Sequence, residues 1–512
     1  MTVLPSETGP TLVLSAAGRL REFNAAGVLN AADVHTAVTV ARICGEVDER
    51  VQLAMAVAVR ALRTGSVCVD LRAVATDVFD TAEEQIDVGD LPWPDPEEWV
   101  AACTRSPMVA DGAEAAGGRP LRLASGLLYL ERYWQQEELV RSQLDRRGNH
   151  LPAVDEDRLR SALARLFPGD DLPPGEPDRQ REAAAVSTCT AVSVIAGGPG
   201  TGKTTTVARL LALLRDQPGP PLRIALAAPT GKAAARLTEA VAEARTELEP
   251  ADAERIGDLT ASTLHRLLGW LPESRGRFRH HAGNHLPYDV VVVDELSMVS
   301  LTMMARLLEA VRPDARLVLV GDPDQLSSVE AGAVLADIAG AASADARLED
   351  RLVRLGLGPS TGTAGGGSAP GSRVVRLQHT WRFGGAIDAL TRAVRASDAD
   401  EVIRVLRDGG DQVCFVEVEA DKVPVEAYAK LKAEVQEAGR RARAAAVAGD
   451  THGALTSLDR HRLLCAHRRG PYGVSRWDLE AERWVAEAVP DYTDEGEWYA
   501  GRPLLVTAND YE

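Results

Sequence analysis

Residues 197–204 read Gly-Gly-Pro-Gly-Thr-Gly-Lys-Thr, which is the pattern of a phosphate-binding loop. An apolar run precedes the loop at 191–196, and a helical pattern follows it. In such a loop the glycines let backbone N–H groups surround phosphates, Lys203 reaches the β- and γ-phosphates, and the Thr204 hydroxyl binds Mg²⁺. The sequence therefore predicts a site for ATP and Mg²⁺. Its predicted residues are Gly197, Gly198, Pro199, Gly200, Thr201, Gly202, Lys203, Thr204 and Thr205.

Two carboxylates follow a second apolar run. Four consecutive valines at 290–293 lead directly into Asp294 and Glu295. Ligands of open α/β sheets collect at the carboxyl ends of the strands, so both side chains are expected at such an edge. We expect Asp294 to hold Mg²⁺ together with Thr204, and Glu295 to orient or deprotonate the attacking water. Taken alone, the pair is also consistent with a helix cap at the end of a strand.

Two further polar positions are candidates for the same reaction. The strand-like run 317–320 ends in a polar turn that contains Gln325, whose amide is predicted to touch the γ-phosphate and report hydrolysis. Arg382 lies in a Gln-His-Thr-Trp-Arg-Phe segment and is predicted to stabilise charge on the transferred phosphoryl group, as arginine fingers do. Its neighbour Trp381 is expected to be a core residue more often than a base-stacking one.

Two segments have the residues of a nucleic-acid phosphate site. Thr230 and Lys232 follow the apolar run 223–228 and open a helical pattern, and a second polar segment contains Thr263 and His265. Helix N-termini with hydroxyl and ammonium groups suit DNA phosphates. Ordinary helix caps explain the same residues nearly as well, so both interpretations stay open at this point.

The order of patterns along the chain indicates the architecture that positions these residues. From 191 onward four strand-like runs alternate with helical patterns, which predicts a parallel sheet covered by helices on both faces. Helical patterns dominate before that point, for example at 51–62 and 121–144, with a loop expected at 104–120. Three further strands are expected to form a second α/β unit, at 374–377, 412–418 and 462–465.

Composition limits the possible classes of protein. The chain has 512 residues with 45% hydrophobic and 26% charged content, which indicates several globular domains. No apolar run approaches the roughly 20 residues of a membrane span and no secretory signal is visible, so no membrane contact and a cytoplasmic location are expected. The net charge of −18 confines any DNA contact to a local groove. None of the five lysines follows an acidic residue by two positions, so the common metal-dependent nuclease triplet is absent and nuclease activity is not expected.

Taken together, the ordered motifs resemble those of superfamily 1 helicases, and more closely the RecD family, the alpha subunits of exodeoxyribonuclease V. Segments outside the shared helicase motifs carry the closer resemblance; among them are Arg279-His280-His281-Ala282-Gly283-Asn284, the segment 327–338, Arg469-Gly470-Pro471-Tyr472-Gly473-Val474 and Gly501-Arg502-Pro503.

This resemblance implies a P-loop NTPase with two RecA-like domains, the second apparently truncated, preceded by an α-helical N-terminal domain. The implied boundaries are 1–120 for a partner-docking domain, 121–178 for a helical linker, 179–355 for the first motor domain, 356–372 for a flexible insert and 373–512 for the second motor domain.

The resemblance also implies an activity. It implies a 5′→3′ DNA helicase subunit that acts on single strands at double-strand ends, beside RecB-like and RecC-like subunits, in break repair and recombination. It further implies that Gln180 contacts adenine.

The sequence departs from the family pattern after Gly501-Arg502-Pro503, where a Thr-x-His-Lys-Ser-Gln-Gly segment and a final arginine are expected but the chain reaches Glu512. We therefore expect either a fragment or an incomplete second motor domain. Two alternatives stay open, a docking subunit that binds nucleotide without productive turnover and a phosphate-loop ATPase that acts on protein or RNA.

Overall fold

The protein is described here by a computed structural model. The structure describes residues 12–76, 88, 90–113, 117–169, 172, 176–271, 277–326, 328, 330–332, 334–340, 344–358, 371–381, 384–417, 428–468, 470, 472–489, 492 and 499–504. The chain divides into two compact units, residues 1–395 and 396–512. Within the described part of the chain, no helix combines the length and low polarity that crossing a bilayer requires.

The N-terminal part of the first unit combines helices with a small sheet. Its elements are α1 (Gly18–Ala25), α2 (Ala31–Cys44), α3 (Glu49–Arg63), β1 (Cys68–Val69), α4 (Pro96–Arg105), β2 (Val109–Asp111), β3 (Leu121–Ala124) and β4 (Leu127–Leu130). The helix predicted at 51–62 is confirmed as α3, and Asp48 caps it by accepting from Arg50 N. The strands form a sheet of order β1-β4-β3-β2.

This small sheet corrects the prediction of a loop at 104–120 followed by a helical pattern. Strands β3 and β4 form a hairpin whose turn is Ser125-Gly126, with φ of 52° and 83°. Both turn residues adopt the positive φ that two-residue hairpins need. Strand β2 pairs with β3 in parallel, so the sheet continues across the domain boundary predicted at residue 120.

Two helices connect this part to the large sheet: α5 (Glu131–Gly148) and α6 (Glu156–Leu166). Arg147 of α5 is buried and its guanidinium donates to the carbonyls of Val311, Arg312 and Ala315 at 2.7–3.2 Å. A second link is a backbone hydrogen bond of 3.1 Å from Gly332 N to Gly65 O. Both contacts fix the N-terminal part against the segments around the large sheet.

The large sheet has the predicted alternation. Its elements are α7 (Arg179–Cys189), β5 (Val192–Gly197), α8 (Lys203–Asp216), β6 (Ile224–Ala228), α9 (Gly231–Thr246), α10 (Pro250–Ile256), β7 (Ala261–Thr263), α11 (Leu264–Leu268), β8 (Val290–Val293), α12 (Leu301–Ala310), β9 (Arg316–Gly321), α13 (Val334–Gly340), α14 (Ala346–Arg354), β10 (Val374–Leu377) and α15 (Ala386–Arg395). All described pairings are parallel, in the order β10-β5-β9-β8-β6-β7.

Both faces of this sheet are buried, which explains its continuous apolar runs. In β8, Val290 and Val292 pack into one core with α7 and α8, while Val291 and Val293 pack into the other with α12. The predicted parallel sheet between two helical layers, and with it the α/β P-loop fold, is confirmed.

The second unit differs from its prediction. Its described elements are α16 (Ala399–Asp408), α17 (Ala429–Val447), α18 (Thr451–Asp459) and α19 (Val474–Ala488). The strands predicted at 412–418 and 462–465 are wrong where described, since 412–417 and 462–465 form no strand. The strand predicted at 374–377 exists, but it pairs with β5 in the first sheet. Most of the predicted insert, residues 359–370, lies outside the described residues.

Candidate nucleotide site

The phosphate loop connects β5 to α8 at the carboxyl edge of the sheet. Gly200 and Gly202 have φ of 76° and 80°, and Gly202 is the residue that precedes the first turn of α8. A side chain at either position would strain the backbone, which is why glycine is needed there. Lys203 Nζ donates to the carbonyls of Gly197 at 2.7 Å and Gly198 at 3.0 Å. Its ammonium group therefore lies over the concave side of the loop.

Asp294 and Glu295 follow β8, two strands away from β5 in the sheet. Glu295 has φ 54° and ψ 44°, a left-handed conformation that is rare for a residue with a side chain. Its N–H donates to Asp294 Oδ1 at 2.9 Å. Such backbone strain at a strand end is typical of functional sites, and here it occurs between two successive carboxylates.

The electrostatics of this carboxylate pair are unusual. Burial raises the pKa of the Asp294 carboxyl to about 6, while the N–H of Glu295 and the charge of Lys203 oppose the rise and the charge of Glu295 adds to it. A desolvated carboxylate beside a second carboxylate is stabilised by a cation. With the Thr204 hydroxyl, Asp294 supplies the hard oxygen ligands that Mg²⁺ prefers, so these residues are compatible with that ion.

Gln325 follows β9, the strand between β5 and β8. Its Nε2 donates to Asp322 Oδ2 at 3.2 Å, and Asp322 itself is buried. The side chain is thus held at the same edge as the phosphate loop.

One open cleft of about 780 Å³ brings the predicted residues together. Its lining includes the loop from Gly198 to Thr205, the side chains of Asp294, Glu295 and Gln325, and part of α9. The predicted residues Gly198 to Thr205, Asp294, Glu295 and Gln325 thus lie around one cleft, while Gly197 is not among its lining residues. Their roles in binding and hydrolysis of a nucleotide stay predictions. Arg382 lies outside the described residues.

A smaller pocket lies beside the phosphate loop, and Gln180, Thr201, His379 and Trp381 are among its lining residues. Gln180 Nε2 donates to Thr201 O at 3.2 Å. The expectation that Trp381 is a core residue is wrong, because its side chain is 44% exposed and its ring contacts that of His379 at 4.4 Å. Its backbone N–H donates to Gly200 O at 2.8 Å, which places it against the loop.

The predicted DNA residues occupy the far end of the same sheet edge. Thr230 caps α9 by accepting from Ala233 N at 3.2 Å, and Thr263 caps α11 by accepting from Arg266 N at 3.2 Å. Both are therefore helix caps, as the alternative interpretation required, while Lys232 is exposed in the first turn of α9. Burial lowers the pKa of His265. None of these four residues is among those lining the nucleotide cleft of the described chain.

Arg395 is a functional candidate that the sequence did not reveal. Its guanidinium lies against Gly198 of the phosphate loop, although the two residues are far apart in the chain. An arginine at the end of an amphipathic helix has no distinguishing local pattern, so only the packing of α15 could identify it.

Two family models match separate parts of the chain. Residues 25–129 match the family described as "RecBCD enzyme subunit RecD, N-terminal domain", and residues 180–331 match the family described as "AAA domain". The chain is 49% identical over 497 residues to the RecBCD enzyme subunit RecD of Mycolicibacterium smegmatis, a match that covers 95% of this chain and 78% of that relative.

Two more distant similarities cover less of the chain. The ATP-dependent RecD2 DNA helicase of Deinococcus radiodurans is 46% identical over 149 residues, which are 29% of this chain and 18% of that protein. A crystal structure of Pif1 helicase from Candida albicans covers 52% of this chain and 54% of its own, at 19% identity and a TM-score of 0.26.

Proposed function

This chain belongs to the RecD family of RecBCD enzyme subunits, and on that basis we propose that it is an ATP-dependent DNA helicase subunit of a RecBCD-type helicase–nuclease. The observation that carries the proposal is the single cleft into which the phosphate loop, Asp294, Glu295 and Gln325 converge. These side chains arrive from three different strand ends, and together they offer the positioning and the charge stabilisation on which phosphoryl transfer depends.

The proposed reaction assigns one task to each side chain. Lys203 neutralises β- and γ-phosphate charge, Glu295 orients the attacking water and accepts its proton, and Gln325 contacts the γ-phosphate. Thr204 and Asp294 would hold Mg²⁺, which when bound neutralises charge on the phosphate oxygens. Because Gln325 also hydrogen-bonds Asp322, its amide can transmit loss of the γ-phosphate to the loop that follows β9.

The adenine end is proposed to bind in the pocket beside Gln180. Since Gln180 Nε2 donates to Thr201 O, the acceptor Oε1 is the atom offered to the base. An acceptor pairs with the exocyclic amino group of adenine, whereas guanine presents an oxygen there. The same site is thus expected to prefer ATP over GTP.

We propose that DNA lies across the strand ends β6 and β7. Thr230 and Thr263 begin two neighbouring helices at this edge, and Lys232 adds an exposed positive charge. Backbone N–H groups at helix starts bind phosphates without reading sequence. Contacts of this kind would suit a motor that moves along any single strand.

The family membership is the support for three further parts of the proposal. These are movement in the 5′→3′ direction, assembly with RecB-like and RecC-like subunits through the N-terminal part, and a role in repair of double-strand breaks by recombination.

The test is ATP hydrolysis by the chain, alone and with its two partner subunits, with single-stranded DNA, single-stranded RNA or no polymer. We expect DNA to stimulate hydrolysis and RNA not to do so. Unwinding of duplexes with a 5′ or a 3′ single-stranded overhang then reports direction, and only the 5′ overhang should support it. Nucleotide binding without DNA-stimulated turnover in any of these mixtures would overturn the proposal in favour of a docking subunit.

A further inference from the structure

The last residue of α15 lies against the phosphate loop. A Cβ atom placed on Gly198 would overlap Arg395 Nη2 and lie 3.0 Å from its Cζ. The guanidinium therefore occupies the space that a side chain at position 198 would fill. Such an approach brings a planar cation into direct contact with the backbone of the loop.

Lys203 contacts the same residue of the loop, Gly198, as Arg395 does. Its Nζ donates to Gly198 O at 3.0 Å, so the ammonium that reaches the β- and γ-phosphates ends at the same residue that Arg395 covers. Two cations thus converge on Gly198, from α8 and from α15. A guanidinium presents a planar fork of N–H donors that matches two phosphate oxygens. A second ammonium group would lack this geometry.

Asp324 holds Arg395 beside the loop. Arg395 Nε lies 3.4 Å from Asp324 Oδ2, and the side chains are 37% and 49% exposed. An ion pair this exposed contributes only about 0–1 kcal/mol. It can therefore be exchanged for a better anion at little cost. Asp324 also directly precedes Gln325, so the pair joins α15 to the loop that carries the predicted γ-phosphate contact.

We infer that Arg395 is a phosphate-binding residue. Its guanidinium separates from Asp324 and contacts the terminal phosphate of bound ATP. This inference rests on the proposed function and adds a residue to its site. It implies that Arg395 distinguishes ATP from ADP, because the contact is lost together with the γ-phosphate. It also implies that Asp324 competes with the nucleotide for the same guanidinium.

A structural role for Arg395 is the competing explanation, and the chain offers a matched control for it. Arg392 lies one turn earlier on α15, is 73% exposed and pairs with Asp388 on the same helix at 3.1 Å. Replacing Arg392 removes the same charge from the same helix without touching the phosphate loop.

The experiment compares Arg395→Ala, Arg395→Lys and Arg392→Ala with the unchanged chain. Affinities for a non-hydrolysable ATP analogue with Mg²⁺ and for ADP are measured by titration, which requires no turnover. Since hydrogen bonds to charged groups are the strong ones, we expect Arg395→Ala to weaken binding of the ATP analogue about tenfold or more and ADP binding less than about twofold. The affinity of Arg395→Lys for the ATP analogue should lie between those of Arg395→Ala and the unchanged chain. Arg392→Ala should bind both nucleotides as the unchanged chain does.

Equal losses for the ATP analogue and ADP, or an unchanged affinity for both, would overturn the inference. Asp324→Asn gives a second measurement, because removing the competing carboxylate should tighten binding of the ATP analogue, and weaker binding would contradict the exchange. Failure of the proposed function is distinguishable. In that case the unchanged chain with its partners shows no DNA-stimulated hydrolysis, whatever the Arg395 variants do to binding.

Discussion

Gln180 and Thr201 connect the start of α7 to the phosphate loop through a hydrogen bond of 3.2 Å from the side-chain amide to the backbone carbonyl. The amide is also packed against Gly202, where an added Cβ would lie 3.3 Å from Gln180 Cδ. The group proposed to select the base is therefore fixed to the loop that is predicted to bind the phosphates.

Gln180→Ala is expected to reduce the preference for ATP over GTP, because the acceptor that faces the adenine amino group is removed. A site that loses one such hydrogen bond changes its discrimination by about tenfold. The measurement is the ratio of kcat/KM for the two nucleotides. An unchanged ratio would show that the base is recognised elsewhere.

Lys203→Ala should abolish ATP hydrolysis and leave the fold intact. The ammonium lies over a partly exposed loop, where substitutions seldom change the free energy of unfolding by more than about 0.5 kcal/mol, while its charge is needed at the β- and γ-phosphates. Hydrolysis and thermal unfolding are measured on the same sample. Near-normal turnover would contradict the assignment of the phosphate loop.

Asp294→Asn and Glu295→Gln are expected to separate binding from chemistry. Glu295→Gln keeps the proposed ligands of Mg²⁺ but removes the base, so ATP binding should persist while hydrolysis falls by about a hundredfold or more. Asp294→Asn removes a ligand and should weaken Mg²⁺-dependent ATP binding. Titration with the ATP analogue at several Mg²⁺ concentrations checks this, and identical affinities for the two variants would refute the division of roles.

Arg147→Ala should destabilise the first unit. The substitution removes the guanidinium donor from three carbonyls near the end of α12, two in buried hydrogen bonds and one in a part-buried one. Each such loss at a buried group costs about 1–3 kcal/mol before relaxation. We expect a decrease of about 3 kcal/mol or more in the free energy of unfolding, measured by urea denaturation. Arg146→Ala is the control, since Arg146 is exposed on the same helix. Equal stability of the two variants would mean that Arg147 contributes no net stabilisation.

Asp289 is expected to make the stability of the first unit sensitive to acid. Hydrogen bonds from Arg223, together with one from Arg312, hold its pKa well below the ordinary value, although its partial burial opposes this. A lowered pKa stabilises the folded state above the unfolded pKa of about 3.9, and this stabilisation disappears as the pH falls further.

Asp289→Asn should therefore lower the midpoint of thermal unfolding at pH 7 and narrow the difference in midpoint between pH 5 and pH 3. The control is Asp314→Asn, which removes a 74% exposed partner of Arg312. If the midpoint of thermal unfolding depends on pH in both variants as it does in the unchanged chain, Asp289 does not contribute to the acid sensitivity of folding.

The sequence predicted those parts of the structure that depend on local pattern. Four strands of the large sheet were placed within a residue or so, because buried parallel strands are continuous apolar runs. The hairpin at 121–130 was missed because its Leu-rich strands also suit a helix, and only the Ser125-Gly126 turn distinguishes the two. The partner of the strand at 374–377 could not be predicted, because pairing with β5 joins residues 180 positions apart in the chain. Arg395 was missed for the same reason.

The strand order of the large sheet has a mechanical consequence. Strands β5 and β7 are four positions apart, which is about 19 Å at the usual spacing between strands. Because every neighbour in between is paired in a hydrogen-bonded register, the sheet sets the spacing between the phosphate loop and the threonines Thr230 and Thr263 at the ends of β6 and β7. Any displacement driven by ATP is then expected in the loops and helices attached to this sheet, such as α15 and the segment that carries Gln325.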